Sequence, residues 1–345
     1  MSATYAVIGA PPPPHTARAL RAAEQALRAA GWAPADADAA ALVLHVIDPE
    51  RPTTFRRRAR STYVAAVCDT TPELADTYPL LVRSLSNVVL CAVGDGVWFT
   101  TMERGFYHVA DDALVDRLLP LAGARLVIDN EFRTDLEPEL WDGDEITDSI
   151  RVAGEAIGSL GLLPAPFPIE DLLDERDLRH VKLLYGIGGL SYGNLSARQD
   201  ERRFWMSASG VDKAKLEQPG RDILLVSGYD AGKGTIVLSV PPAAEPKRVS
   251  VDAIEHWMIY RGHPDVGAVL HVHGWIDGIR STHLNFPCGS EELALAVSDA
   301  LAAEDDPAHA VIGLRNHGIT ATGDSLPEIL DRIGSMIRPQ VPMSG

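Results

Sequence analysis

The chain has 345 residues, 46% hydrophobic and 23% charged, the make-up of a soluble globular protein long enough for two domains. A formal net charge of −17 argues against nucleic acid or an anionic membrane surface as the main partner, because both demand clustered Lys and Arg. Three cysteines (Cys68, Cys91, Cys288) supply neither a disulfide framework nor a paired-cysteine metal motif, no apolar run approaches the ~20 residues that cross a bilayer, and the N-terminus lacks a basic segment followed by an apolar one, so a cytoplasmic protein with reduced thiols is expected.

In chain order, TYAVIGA reads as a strand and residues 16–30 as a helix. The near-continuous apolar runs ALVLHVID, TYVAAVCD and NVVLCAVGD then read as buried parallel strands, with a helix over PELADTYPLLVRSL before the third. VWFTTM and GFYHVA suit an edge hairpin, DDALVDRLLPLA a helix and ARLVIDNEF a final strand. This alternation predicts a small α/β sandwich of Rossmann or flavodoxin type over residues 1–140, with no assigned role. Its first turn is GAPPPP instead of GxGxxG, and prolines offer no backbone N–H to a phosphate, so a dinucleotide site is not expected. Residues 133–146 are acidic and polar and mark the boundary. A helix follows over 147–162, then a proline-rich connection, PAPFPIEDLLDERD, with a short acidic helix.

Three later segments carry chemistry. In GAVLHVHGW (267–275) apolar residues lead into His271 and His273, which a strand's period of two places on one face, within reach of a single ion. AVIGLRNHGITATG (310–323) is another apolar strand, ending at His317 beside Gly318, where the missing side chain allows close backbone approach. A third imidazole from a neighbouring strand completes the ligand set of a catalytic zinc with one position left open; Fe2+, Co2+, Mn2+ or Ni2+ also suit imidazole. The segment 190–210 (LSYGNLSARQDERRFWMSASG) offers turns with backbone N–H and small hydroxyl groups suited to an anion or a polarised carbonyl.

Taken together, GNLSAR, SASG, the run from His256 through Tyr260, Arg261, Pro264, Asp265 and Ala268 to His271 and His273, FPCGSEELA and the closing NHG motif resemble the class II aldolase/adducin family, typified by L-fuculose-phosphate aldolase. The resemblance covers residues 148–334. It implies a second domain over 145–340 with a central, mostly antiparallel sheet flanked by helices. It also implies a divalent metal on His271, His273 and His317, phosphate or substrate contacts from Asn194, Ser209, Gly210 and Ser250, and Asp252 as general acid/base. A homo-oligomer, a tetramer by resemblance, acting on a small molecule would follow.

The sequence departs from that pattern in three places. The family's Ser-Ser-Glu segment reads Ser250-Val251-Asp252, losing one phosphate-contacting hydroxyl and shortening the base by a methylene. Lys247 and Arg248, just upstream, are candidates to compensate. Asp252 and Glu255 also fit a helix N-cap and its capping-box partner. No tyrosine follows Tyr260, although the sugar-phosphate aldolases use one as proton donor, which leaves His283 or water for that role. The expected function is a metal-dependent lyase performing retro-aldol carbon–carbon cleavage through a metal-stabilised enediolate on a small hydroxy-carbonyl substrate. Decarboxylation, dehydration, epimerisation or iron-dependent oxygenation are alternatives on the same scaffold, and an adducin-like interaction module is the non-catalytic one.

Overall fold

A computed structural model describes residues 3–59, 62–101, 105–162, 171–185 and 193–344. The chain divides into two compact units, one formed by Met1–Ala124 with Pro168–Val181 and one by Arg125–Phe167 with Lys182–Pro342.

The first unit runs β1 (Thr4–Gly9), α1 (Pro14–Ala29), β2 (Ala33–Pro34), β3 (Leu42–Val46), β4 (Tyr63–Cys68), α2 (Leu74–Ser84), β5 (Val88–Val93), β6 (Gly96–Thr101), β7 (Phe106–Ala110) and α3 (Leu114–Ala122). Its sheet has the order β2-β1-β3-β4-β5-β6-β7, parallel through β5 and antiparallel from there on. The parallel part repeats the flavodoxin-type order 2-1-3-4-5. Every residue of β3 is buried, as is all of β4 except Tyr63, because helices cover both faces. Leu44, Val67 and Leu90 face Leu20 and Leu27 of α1 and Leu118 of α3. Ala66, Val89 and Cys91 face Leu80 and Leu81 of α2 on the other side. Pro14 begins α1 at a position that needs no N–H donor, and Thr16, Ala19, Leu20, Ala23 and Leu27 bury one stripe.

The second unit runs β8 (Asp129–Arg133), α4 (Glu145–Ser159), α5 (Glu175–Tyr185, which begins in the first unit), β9 (Gly193–Arg198), β10 (Phe204–Ser207), β11 (Ile223–Asp230), β12 (Thr235–Ser239), α6 (Ala253–Gly262), β13 (Ala268–Val272), α7 (Glu291–Ala302), β14 (Val311–Leu314), β15 (Gly318–Gly323) and α8 (Leu326–Ile333). Its sheet has the order β14-β15-β13-β9-β10-β11-β12-β8, with every pairing antiparallel except that of β12 with β8. Ile150 and Ala153 of α4 and Leu326 and Ile329 of α8 cover one face. Ala253 and Ile254 of α6 and Leu293 and Val297 of α7 cover the other.

The strand read from ARLVIDNEF is present as β8, but in the second sheet and not the first. Its backbone pairs in parallel with β12 from Asp129↔Thr235 to Arg133↔Ser239, and Val127, just before it, is buried in the core of the second unit. An apolar run gives no clue to which sheet edge will claim it. The boundary expected near residue 140 accordingly falls near 124. The expected helix over 147–162 starts earlier, at Glu145, because Asp144 caps it: the carboxylate accepts from the Ile146 and Thr147 amides, and the Thr147 hydroxyl accepts from the Asp144 amide. Part of the proline-rich connection (163–170), with part of its expected acidic helix, and residues 190–192 of the LSYGNLSAR segment lie outside the described residues. No helix among the described residues is long and apolar enough to cross a membrane.

Candidate active site

The site grows from three neighbouring strands in register. On the face covered by α6, His271 of β13 lies opposite Asn194 of β9 on one side and Thr320 of β15 on the other. Two residues back, Val269 lies between Ser196 and Thr322. A period of two therefore puts Asn194, Ser196, His271 and Thr320 on one face. Glycines let the strands close up around this row: a Cβ on Gly193 would stand 2.1 Å from the His271 carbonyl oxygen, and one on Gly318 2.3 Å from that of Val272.

His273 follows directly on β13, and His317 occupies the tight turn between β14 and β15, where Asn316 adopts φ +58°. The imidazole centroids of His271, His273 and His317 are 4.8–5.2 Å apart, and one ligating nitrogen from each lies within 4.8 Å of the others. His273 Nε2 and His317 Nε2 are 3.3 Å apart. Nitrogens about 2.0–2.1 Å from one tetrahedral ion lie roughly 3.4 Å from each other, so this spacing is that of a coordination edge. His271 Nδ1 donates to the Ile319 carbonyl at 3.0 Å, which fixes the tautomer and leaves Nε2 as the basic nitrogen. That Nε2 is buried and has no hydrogen-bond partner. Burial lowers the His271 pKa against the opposing charge of Asp252, so the ring is held neutral, as a ligand must be. A buried orphan nitrogen and two converging imidazoles fit a divalent cation.

Asp252 precedes α6. Its side chain makes no capping bond to the helix. Oδ2 instead accepts from Asn194 Nδ2 at 2.7 Å, and Oδ1 is buried without a partner. Glu255 does not complete a capping box either: it turns inward, 1% exposed, and accepts from the Thr320 hydroxyl at 2.5 Å. His256 shares a 2.7 Å hydrogen bond with the Ser196 hydroxyl, which also meets the Tyr260 hydroxyl at 2.9 Å. Burial pushes the His256 pKa well below its ordinary value.

The anion-binding candidates gather on two adjoining loops. Ala208 bridges Val249, the Ser209 amide donates to the Arg248 carbonyl at 2.8 Å, and the Ser250 amide donates to the Ser207 carbonyl at 3.3 Å. Ser209, Gly210 (φ +67°) and Ser250 are thus brought to one place. Lys247 and Arg248 are engaged elsewhere, Lys247 with Asp222 at 2.6 Å and Arg248 with the Ile128 carbonyl at 2.7 Å. The Cys288 thiol lies 3.2 Å from His317 Nε2, and His283 is exposed with its carbonyl accepting from Arg315.

Two buried ionisable side chains escape a reading of the sequence. Lys213 looks like a surface lysine in VDKAK, yet it is 1% exposed and donates to the Ala208 carbonyl at 2.8 Å and the Val211 carbonyl at 3.3 Å. Burial lowers its pKa to about 7. Gly154 on α4 was a signal in hindsight, since a Cβ there would stand 2.1 Å from the Lys213 carbonyl oxygen. Glu255 sits among apolar neighbours at helical spacing from Asp252. Burial and the Asp252 charge push its pKa up to about 8.

Residues 179–275 match the family model described as the class II aldolase and adducin N-terminal domain. Methylthioribulose-1-phosphate dehydratase from Leptospira biflexa is 36% identical over 102 residues, 29% of this chain and 43% of that protein. The enzyme of the same name from Citrobacter koseri is 28% identical over 165 residues, 39% of this chain and 75% of that protein. L-fuculose-1-phosphate aldolase from Thermus thermophilus aligns at a TM-score of 0.34 and 21% identity, covering 55% of this chain and 87% of that one. The chain spans less than half the length of the Leptospira relative. His271 and His273 fall inside the matched segment, and His317 lies beyond it.

Proposed function

We propose that the second unit is a metal-dependent lyase that eliminates water from a small, anionic hydroxy-carbonyl compound, with His271, His273 and His317 as ligands and Asp252 as the proton-transfer group. The observation that carries this reading is the convergence of the three imidazoles on the strand row whose Asn194 holds Asp252. Zinc is the preferred ion, and when bound it would supply Lewis-acid polarisation of a substrate oxygen.

The chain's own groups divide the remaining work. Asn194 Nδ2 fixes one carboxylate oxygen of Asp252, which leaves Oδ1 to take a proton from the carbon beside the carbonyl and return it to the departing hydroxyl. Ser209, Gly210 and Ser250 offer hydroxyl and backbone donors to a phosphate or carboxylate remote from that carbon. Elimination is favoured over retro-aldol cleavage because two relatives carry the name of a dehydratase. Retro-aldol cleavage is the second reading, supported by the same carboxylate beside the same imidazoles. The first unit is proposed as an accessory domain, and assembly into a homo-oligomer as a property carried by the resemblance.

The test is incubation of zinc-loaded protein with methylthioribulose 1-phosphate and a panel of related sugar phosphates, with products followed by mass spectrometry. A product lighter by one water supports elimination, and two smaller carbonyl fragments support retro-aldol cleavage. Turnover that survives unchanged in Asp252→Asn would overturn the assignment of the base.

A further inference from the structure

Glu255 is a buried carboxyl for which proton transfer at Asp252 has no use, and it lies on the same side of α6. Its partner is the hydroxyl of Thr320, which donates to Oε1 at 2.5 Å. Thr320 in turn lies directly opposite His271 across the β13–β15 pairing, with its hydroxyl oxygen 3.5 Å from His271 Nδ1. Both residues are fully enclosed, Thr320 at 0% and Glu255 at 1% exposure. Because His271 Nδ1 already donates to the Ile319 carbonyl, its hydrogen can be shared with the Thr320 oxygen, and the Thr320 hydrogen points on to Glu255.

We propose that Glu255, acting through Thr320, is a positioning residue for the first imidazole of the metal centre: the chain His271 Nδ1–H to Thr320 Oγ1–H to Glu255 Oε1 aims Nε2 into the site and raises its basicity. This rests on the reading of His271, His273 and His317 as ligands. The physical argument is one of isolation. A buried hydroxyl must donate somewhere, and in this row the acceptor offered is an oxygen of a carboxyl that is itself buried. Partners that orient a ligating histidine are worth about 10- to 100-fold in metal affinity. Glu255 is reached through an intervening hydroxyl, so its effect belongs at the lower end of that range. The role requires an acceptor oxygen at position 255 and a hydroxyl at position 320, and no charge.

The measurement is the zinc dissociation constant of the full chain, obtained by competition with a chromophoric chelator, together with the far-ultraviolet circular dichroism of each variant. Glu255→Leu and Thr320→Val should each weaken zinc binding about tenfold. Glu255→Gln keeps an acceptor oxygen and Thr320→Ser keeps a hydroxyl, so both should stay within about twofold of wild type. The Glu255→Leu/Thr320→Val double variant should be no weaker than the poorer single variant, because both changes break one chain. If Glu255→Leu does not fold, the Thr320→Val and Thr320→Ser pair decides the matter in the same way. Wild-type affinity in Thr320→Val, additive losses in the double variant, or a loss in Glu255→Gln equal to that in Glu255→Leu would overturn the inference while leaving the metal centre standing. Failure of the wild-type chain to bind zinc would overturn both.

Discussion

Asp252 shows how little a residue's type says about its use. At the head of a helix, with a glutamate three residues on, it has the sequence of an N-cap, and α8 begins this way at Ser325, whose hydroxyl does accept from the Glu328 amide. What redirects Asp252 is Asn194, a residue far away in sequence whose amide is placed by strand pairing. The resemblance to the family, and not the local pattern, was the signal that found it. Asp252→Asn keeps the size of the side chain and, with a flipped amide, the bond to Asn194, so stability should change by less than about 1 kcal/mol. Turnover should fall about 10²–10⁴-fold with zinc still bound. Steady-state kinetics beside metal analysis checks this; an equal loss of metal would move Asp252 into the ligand set. Gly318 is the opposite case, a residue whose role was legible directly. The close approach expected beside His317 is found, and Gly318→Ala forces a methyl against the Val272 carbonyl. A cost of about 1–3 kcal/mol is expected in urea unfolding; an unchanged midpoint would mean that the two strands can part there without penalty.

At the scale of the element, α6 explains what the sequence hid. Its buried face carries Asp252, Glu255, His256 and Tyr260 at helical spacing, and these meet Asn194, Thr320 and Ser196 on the sheet below. A polar stripe facing inward cannot be told from a polar stripe facing water by periodicity alone, since both show the same spacing. The strands were easier, because burial on both faces leaves near-continuous apolar runs. Glu255 gives this element a pH dependence. Its folded value is about 8 against an ordinary 4.5. Between those values the unfolded chain is ionised at this position while the folded chain keeps its proton, so the folded state binds more protons and stability falls as pH rises through the window. Below the window both states are protonated and the penalty disappears. In chelator-treated protein, the drop in urea midpoint between about pH 5 and about pH 8 should be smaller in Glu255→Gln than in wild type. Identical profiles for the two would show that Glu255 is ionised in the folded chain.

For the molecule as a whole, the two sheets differ in how far they could be anticipated. The first is a flavodoxin-type order whose alternation of strands and helices is written along the chain, and its prolines at residues 11–14 remove the N–H donors that such a fold offers to phosphate. The second is a mostly antiparallel sheet in which β13 is flanked by β9 and β15, strands separated from it by about 70 and 50 residues, respectively. Strand periodicity predicts that His271 and His273 share a face, but only this pairing brings Asn194, Thr320 and His317 to them. β8 was misassigned for the same reason, as its partner β12 is about a hundred residues away. The central claim is that these long-range pairings build a metal centre. Its most direct test is elemental analysis by plasma mass spectrometry of the purified chain beside a His271→Ala/His273→Ala double variant. About one equivalent of a divalent metal, zinc foremost, is expected in the wild type and none in the variant. Equal metal in both, or no metal in the wild type even after reconstitution, would contradict the account.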